Sequence, residues 1–125
     1  LYYEENDLYL RSLKKDFKIY LVENSQIKHI GNASTDLIDK SNIEISRNWH
    51  LMWSTFYFHL KHYGLIVAYY KTFFKLLSAS FKYFVYLILG KSTPRKIYFA
   101  RMSGILNAMM GKKSWFRTKI DKGID

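Results

Sequence analysis

The segment from Gly64 to Gly90 constrains the fold more than any other part of the chain. Its only charged residues are Lys71, Lys75 and Lys82, and at 100° per residue these lysines and Ser78 fall within an arc of about 60° on a helix. Apolar and aromatic residues fill the rest of the circumference. The longest charge-free run, residues 83–90, is much shorter than the roughly 18–20 residues that a membrane-spanning helix needs. The segment is therefore predicted to be an amphipathic helix.

Two interpretations of this helix remain open. A broad apolar face beside a narrow lysine stripe suits a helix that lies in the headgroup layer of a membrane, where the lysines reach anionic lipid. The same pattern also suits a helix or helical hairpin that packs under another domain, with the lysines at its solvated edge.

Charge is distributed unevenly along the chain. Residues 1–45 contain eight carboxylates against six Lys and Arg, whereas residues 46–125 contain fourteen Lys and Arg against Asp121 and Asp125. The two parts therefore carry net charges of −2 and +12. A long carboxylate-free stretch that is rich in aromatic rings indicates an anionic partner, and the helix pattern favours an anionic membrane surface.

Nucleic acid is a less favoured partner for the same charge. Basic residues interleaved with aromatic rings can contact phosphates and stack bases. Here the rings surround a helix instead of forming one exposed platform, and the sequence contains no helix-turn-helix, zinc-finger or RNA-recognition signature.

The remaining composition limits the classes of fold and site. A chain of 125 residues with 49% apolar residues suffices for one domain with a core. The absence of cysteine excludes disulfides, thiolate metal sites and thiol nucleophiles. The opening residues are polar and acidic and show no secretory leader pattern. We therefore expect a cytoplasmic chain that is peripheral to the cytoplasmic face of the membrane.

Local patterns predict a mostly helical α/β chain. Helices are expected at residues 4–15, 42–62 and 64–90, and Pro94 is expected to open a last helix that ends at Met110 before Gly111. Short strands are expected at residues 17–21 and 26–30, followed by a loop at residues 31–41. The basic tail from Lys112 is expected to be loose.

Several short strings stand in an order that resembles the family 2 glycosyltransferases. They are YYEENDLYLR at residues 2–11, FKIYLV at 17–22, KHIG at 28–31, SRNWH at 46–50 and KHYG at 61–64. The last two resemble the region beyond the catalytic domain in bacterial members that decorate polysaccharides, often by rhamnosyl transfer.

The resemblance implies a fold and a reaction. Residues 1–45 would be the C-terminal part of a GT-A, Rossmann-like catalytic domain, and residues 46–125 a basic, aromatic-rich helical extension. The complete enzyme would transfer a sugar from a nucleotide-sugar donor to a saccharide or lipid-linked acceptor, with a divalent metal, Mg or Mn, at the donor diphosphate. Because the donor-binding half with its Asp-x-Asp motif is not among these residues, the chain alone is expected to be inactive.

The resemblance also assigns roles to residues. Glu5 lies at the position of the general base, where Asp is the commoner residue, and Glu4 is the next candidate. In inverting transfer such a carboxylate takes the proton of the acceptor hydroxyl as that hydroxyl attacks the anomeric carbon. Asp7 and Arg11, four residues apart on a helix, are expected to form an ion pair that orients these acids.

Two further residues are candidates for contact with the donor. His29 would ligate the metal or contact the diphosphate, and Arg47 would pair with the diphosphate. Structural roles remain open for both: His29 could bond to backbone at a strand end, and Arg47 could be a solvated helix residue.

Structural alternatives also apply to the acids and to the rings. Glu4 and Glu5 could simply favour a helix N-terminus, where the helix dipole attracts negative charge. The rings at helical spacing in the second helix are expected to form core and not a sugar-stacking platform. They are Trp49, Trp53, Phe56 and Phe58.

Overall fold

The fold was analysed in a computed structural model, which describes residues 2–20, 22–26 and 40–117. Within these ranges the chain forms α1 (Glu4–Leu13), α2 (Lys40–Tyr63), α3 (Leu65–Ile88) and α4 (Ser92–Met109). Helices α2, α3 and α4 pack against one another as a three-helix bundle, and α1 is joined to the C-terminal end of α2 by side-chain hydrogen bonds. The prediction of a mostly helical chain is confirmed.

The short strands are not found in the described part of the chain. Residues 17–20, most of the first predicted strand, are exposed and form no strand. Their alternation of bulky residues is insufficient, because a strand forms only beside a second strand that shares its backbone hydrogen bonds. The second predicted strand, apart from Gln26, and most of the predicted loop at 31–41 lie outside the described residues. Lys40 and Ser41, the described end of that loop, instead begin α2.

The helix boundaries follow the sequence signals closely. Gly64 separates α2 from α3 as predicted. Pro94 lies in the first turn of α4, where its missing N–H would have had no partner within the helix. Gly90 and Gly111 take φ values of 67° and 69° after α3 and α4, a left-handed conformation that glycine adopts without strain.

The bundle is held together by large side chains of α2 and small residues of its neighbours. Trp49 and Phe56 of α2 are fully buried, as is Ile105 of α4. Gly104 of α4 lies so close to the backbone carbonyl of Trp49 that an added Cβ would collide with it. Close approach of these two helices therefore depends on a residue without a side chain.

Helix α3 contacts the bundle through a narrow stripe of small residues. Ala68, Thr72 and Ala79 are its buried residues, and the Thr72 hydroxyl donates to the carbonyl of Ala68 at 2.7 Å. Its large apolar residues lie elsewhere on the helix, so α3 packs with its smallest residues and leaves its largest ones exposed.

The described part of the basic tail is anchored, so the expectation of a loose tail is wrong for residues 112–117. The Trp53 indole donates to the carbonyl of Lys112 at 2.9 Å, and His50 Nε2 lies 2.9 Å from the carbonyl oxygen of Phe116. The Phe116 ring stacks on Trp49 with centroids 5.4 Å apart. Charge suggested a solvated tail, but its two aromatic rings and its backbone carbonyls bind it to α2.

Candidate functional site

Asp7 joins α1 to the end of α2. Its Oδ2 accepts a hydrogen bond from Arg11 Nε at 2.8 Å, the ion pair that the sequence predicted. Its Oδ1 accepts from Lys61 Nζ at 2.6 Å and from His62 Nε2 at 2.7 Å. Because Lys61 and His62 belong to the last turn of α2, one carboxylate fixes the position of α1 on the bundle.

These donors stabilise the charged form of Asp7. The Lys61 ammonium first, then the His62 imidazole and the Arg11 guanidinium, hold the pKa of the Asp7 carboxyl far below its ordinary value. The side chain of His62 is only 3% exposed. Asp7 is therefore ionised at neutral pH and engaged on both oxygens, which makes it a positioning residue and not a candidate proton acceptor.

Tyr3 fixes the start of α1 against the same part of α2. Its ring stacks on Phe58 with centroids 5.0 Å apart, and its hydroxyl lies 3.4 Å from the Thr55 hydroxyl. Tyr3 has a φ of 66°, a left-handed conformation that is strained for a bulky residue. The aromatic stacking and the Asp7 contacts hold the residue in this conformation.

The N-terminus of α1 and one face of α2 together enclose a recess of about 250 Å³. We call this the acid-aromatic recess. Its lining residues are Tyr2, Tyr3, Glu4, Asp7, Trp53, Ser54, Tyr57, Phe58 and Lys61. Trp53 and Tyr57 stack with centroids 5.0 Å apart and form its aromatic wall, so the recess combines a carboxylate, an ammonium group and flat aromatic surface.

The two candidate acids do not occupy equivalent positions. Glu4 borders the acid-aromatic recess, whereas both Glu4 and Glu5 border a smaller depression of about 220 Å³ formed by residues 2–6. Both side chains are exposed in the first turn of α1. The structure thus brings Glu4 together with the aromatic wall and leaves Glu5 beside it.

Of the two candidate donor-binding residues, the structure describes Arg47. Arg47 is exposed on α2 and does not line the recess. His29 lies outside the described residues. Asp7 and Arg11, expected to orient the acids, do form their ion pair one turn further along α1.

The described side chains do not form a metal site. In residues 2–20, 22–26 and 40–117, no group of three or more His, Asp or Glu could hold a metal ion. The Asp7 carboxylate, which bonds to His62, is already engaged by three donors. The described residues therefore do not fit the divalent ion that the resemblance implies.

A second candidate surface is the outer face of α3. Most of its large exposed side chains share one side of the helix, opposite the stripe that packs on the bundle; Ile66 and Ile88 are each 85% exposed. The members of this outer face are Ile66, Tyr70, Phe73, Phe74, Leu77, Phe81, Phe84 and Ile88. An apolar face of this extent is unusual for a surface that contacts only water.

The three predicted lysines flank this outer face. Lys71, Lys75 and Lys82 are all exposed, which the sequence predicted. Burial first, then the charges of Lys75 and Lys71, lowers the pKa of His59 on α2. Lys82 Nζ lies 5.4 Å from the centre of the Tyr98 ring of α4. The lysine stripe therefore runs along the border between the packed and the exposed sides of α3.

Sequence reasoning missed the aromatic residues of the recess. Trp49, Phe56 and Phe58 are buried, as expected for core, but Trp53 is only half-buried and lines the recess. Tyr57 was not singled out, although it follows Trp53 by four residues and so lies on the same side of α2. The four-residue spacing of Trp53 and Tyr57 was the sequence signal that could have identified the aromatic wall of the recess.

No described helix is both long enough and apolar enough to cross a membrane. The chain matches no protein-family model, no curated protein and no solved structure.

Proposed function

We propose that this chain is the acceptor-side part of a glycosyltransferase that resembles family 2, and that the acid-aromatic recess contacts the saccharide acceptor. The observation that carries the proposal is that Glu4 lines the same recess as the stacked Trp53 and Tyr57 rings. Because Asp7 and Tyr3 fix α1 on α2, the acids and the rings keep one arrangement.

The chemistry of a saccharide fits such a recess. The C–H face of a sugar ring packs on flat aromatic surface, and its hydroxyl groups donate to carboxylates or accept from ammonium groups. In the recess, Trp53 and Tyr57 supply the flat aromatic surface, and Glu4 and Lys61 supply the groups that bond to sugar hydroxyls. Strain at Tyr3 is also typical of residues that surrounding contacts hold in place for function.

The resemblance supplies the catalytic role. Glu5 would take the proton of the acceptor hydroxyl, while Glu4 holds the acceptor in the adjacent recess. The nucleotide sugar, the divalent ion and the residues that hold them would belong to the donor-binding half of the complete enzyme, in a GT-A domain that includes residues 1–45. No step of this proposal places a metal on the described residues.

Reconstitution tests the proposal. The chain is joined in frame to a donor-binding α/β half that contains an Asp-x-Asp motif, and sugar transfer is measured from a nucleotide-sugar donor. We expect Glu5→Gln to lower kcat by about 100-fold or more, the usual range for loss of a general base. Glu4→Gln should mainly raise the KM for the acceptor. Full activity in the Glu5→Gln enzyme would exclude Glu5 as the base.

A second candidate function is docking on an anionic membrane, which the outer face of α3 favours. Rings and aliphatic side chains on that face would enter the boundary between headgroups and acyl chains, while Lys71 and Lys75 reach anionic headgroups. The net charge of +12 over residues 46–125 complements such a surface. This function is compatible with a transferase that acts on lipid-linked acceptors.

Vesicle cosedimentation tests the docking function. The chain should bind vesicles that contain anionic phospholipid and release them as salt rises. Phe73→Ser with Phe81→Ser should abolish binding, whereas Leu8→Ser, which removes an equally exposed apolar side chain from α1, should leave it unchanged. Binding that is indifferent to both anionic lipid and salt would exclude the electrostatic part of this account.

A further inference from the structure

A second, larger cavity lies between α2 and α4, with α3 and the tail at its edges. Its volume is about 470 Å³, within the range of small-molecule sites. Ile45, Trp49 and Ala100, which pack together in the core, form its floor. Tyr83 of α3 and Phe99 of α4, with ring centroids 5.9 Å apart, form one side.

Charge at this cavity has a single sign. Arg95 and Lys96, adjacent residues of the first turns of α4, line it, and the lining residues that the structure describes include no Asp or Glu. Helices α3 and α4 contain no carboxylate at all. The cavity therefore combines an apolar floor with two cationic side chains that no lining carboxylate neutralises.

We propose that this cavity binds a single-chain anionic lipid, with the hydrocarbon chain on the Trp49 floor and a phosphate group at Arg95 and Lys96. An apolar chain gains from covering the exposed Phe99 ring and the partly buried Tyr83 and Phe116 rings, which line the cavity above its buried floor. A phosphate gains charge-assisted hydrogen bonds from a guanidinium and an ammonium group. This inference goes beyond the proposed function, because it concerns neither the acid-aromatic recess nor the outer face of α3.

Other ligand chemistries explain the cavity less well. Inorganic phosphate would satisfy the two cations but leave the Phe99, Tyr83 and Phe116 rings of the lining uncovered. A neutral hydrocarbon would cover the floor and leave the cations without a partner. Only a molecule that has both parts uses the whole cavity, and a lipid phosphate with one chain is the simplest of this class.

Quenching of Trp49 fluorescence tests the proposal. Trp53→Phe with Trp115→Phe leaves Trp49 as the only tryptophan of the chain. The probe is a brominated monoacyl glycerol phosphate, added below the concentration at which it forms micelles, because bromine quenches only a tryptophan that it reaches. We expect saturable quenching that inorganic phosphate does not prevent.

Two comparisons separate the proposed mode from nonspecific apolar binding. Arg95→Gln with Lys96→Gln, in the single-tryptophan background, should weaken binding by about tenfold or more, as should replacement of the probe by a neutral brominated monoacylglycerol. Both cations lie at the rim and not in the core, and far-UV circular dichroism verifies that the variant is folded.

Lys14→Gln with Lys15→Gln is the matched control, because these exposed lysines directly after α1 lie outside the cavity and the variant removes the same number of positive charges. This variant should bind the monoacyl phosphate as the parent does. Absence of saturable quenching, or equal binding of the charged and neutral probes, would overturn the proposal. Equal loss of binding in the control and the Arg95/Lys96 variant would also overturn it, since binding would then follow total charge.

Discussion

The carboxylate of Asp7 and the buried imidazole of His62 are 2.7 Å apart, and this contact joins the acid-bearing helix α1 to the end of α2. Lys61 bonds to the same carboxylate oxygen at 2.6 Å. The geometry of the acid-aromatic recess depends on these contacts, since α1 forms one of its walls and α2 the other.

Asp7→Asn should loosen α1 from the bundle without unfolding the bundle. An amide can bond to fewer of the three donors and carries no charge for them, so the buried His62 loses its anionic partner. We expect backbone amides of residues 4–13 to exchange with solvent several-fold faster, while those of α4 keep their protection. Asp16→Asn is the control, because Asp16 is an exposed carboxylate next to α1 at which Asn tolerates the left-handed backbone. Unchanged exchange in Asp7→Asn would show that the carboxylate does not fix α1.

The attachment of α1 should also depend on pH in the acid range. The pKa of Asp7 is lower in the folded protein than its ordinary value of 3.8, so the folded state binds fewer protons at that group than the unfolded state. The stabilisation of the α1 attachment by ionised Asp7 is therefore complete above pH 3.8 and is lost as pH falls toward the pKa of Asp7 in the folded protein. The difference in α1 protection between the parent chain and Asp7→Asn should shrink from pH 5 to pH 2. A difference that stays constant over this interval would argue against the ion pairs.

The tail should detach at a less acidic pH than α1. Burial lowers the pKa of His50 below its ordinary value of 6.5, so the unfolded or detached state binds more protons than the folded one below that value. The stabilisation of the attached tail by neutral His50 is therefore present above pH 6.5 and is lost as pH falls below that value. Tryptophan emission should shift to longer wavelength between pH 7 and pH 5 as Trp115 and Phe116 leave Trp49. His50→Gln should remove this pH dependence.

Gly104→Ala should destabilise the bundle. Alanine is the better helix former by about 1 kcal/mol, but its Cβ would collide with the Trp49 carbonyl, and such overpacking typically costs 1–3 kcal/mol. We expect a net loss of stability that lowers Tm by about 4 °C for each kcal/mol in a chain of this size. Met110→Ala, at a position directly after α4 that is 59% exposed, is the control and should change Tm little. A Gly104→Ala protein with a raised Tm would show that α2 and α4 can separate at no cost.

The helices could be predicted because local signals determine them. Gly64, Gly90 and Gly111 mark boundaries that the backbone follows, and the spacing of Asp7 and Arg11 predicted their ion pair. The lysine stripe of α3 followed from the 100° period alone. Each of these predictions depends only on residues that lie within about four positions of one another in the sequence.

The features that were missed or wrong depend on contacts between distant residues. Trp53 and Tyr57 look like core in a helical pattern, and only the attachment of α1, which precedes them by about forty to fifty residues, makes them the wall of a recess. The bonds of Trp53 and His50 to the tail likewise cross more than fifty residues. At residues 17–20 the pattern indicated a strand, but a strand also needs a partner, which local sequence does not specify.

The central claim is that the acid-aromatic recess contacts saccharide, and a titration of the chain with oligosaccharides, followed by NMR, tests it most directly. The indole N–H of Trp53, which donates to the Lys112 carbonyl, provides a resolved probe within the recess. The account predicts a saturable shift of this resonance that Tyr57→Ala or Asp7→Asn weakens and that Tyr70→Ala, on the outer face of α3, leaves intact. No shift of the Trp53 resonance up to saturating oligosaccharide, or an equal shift in Tyr57→Ala, would contradict it.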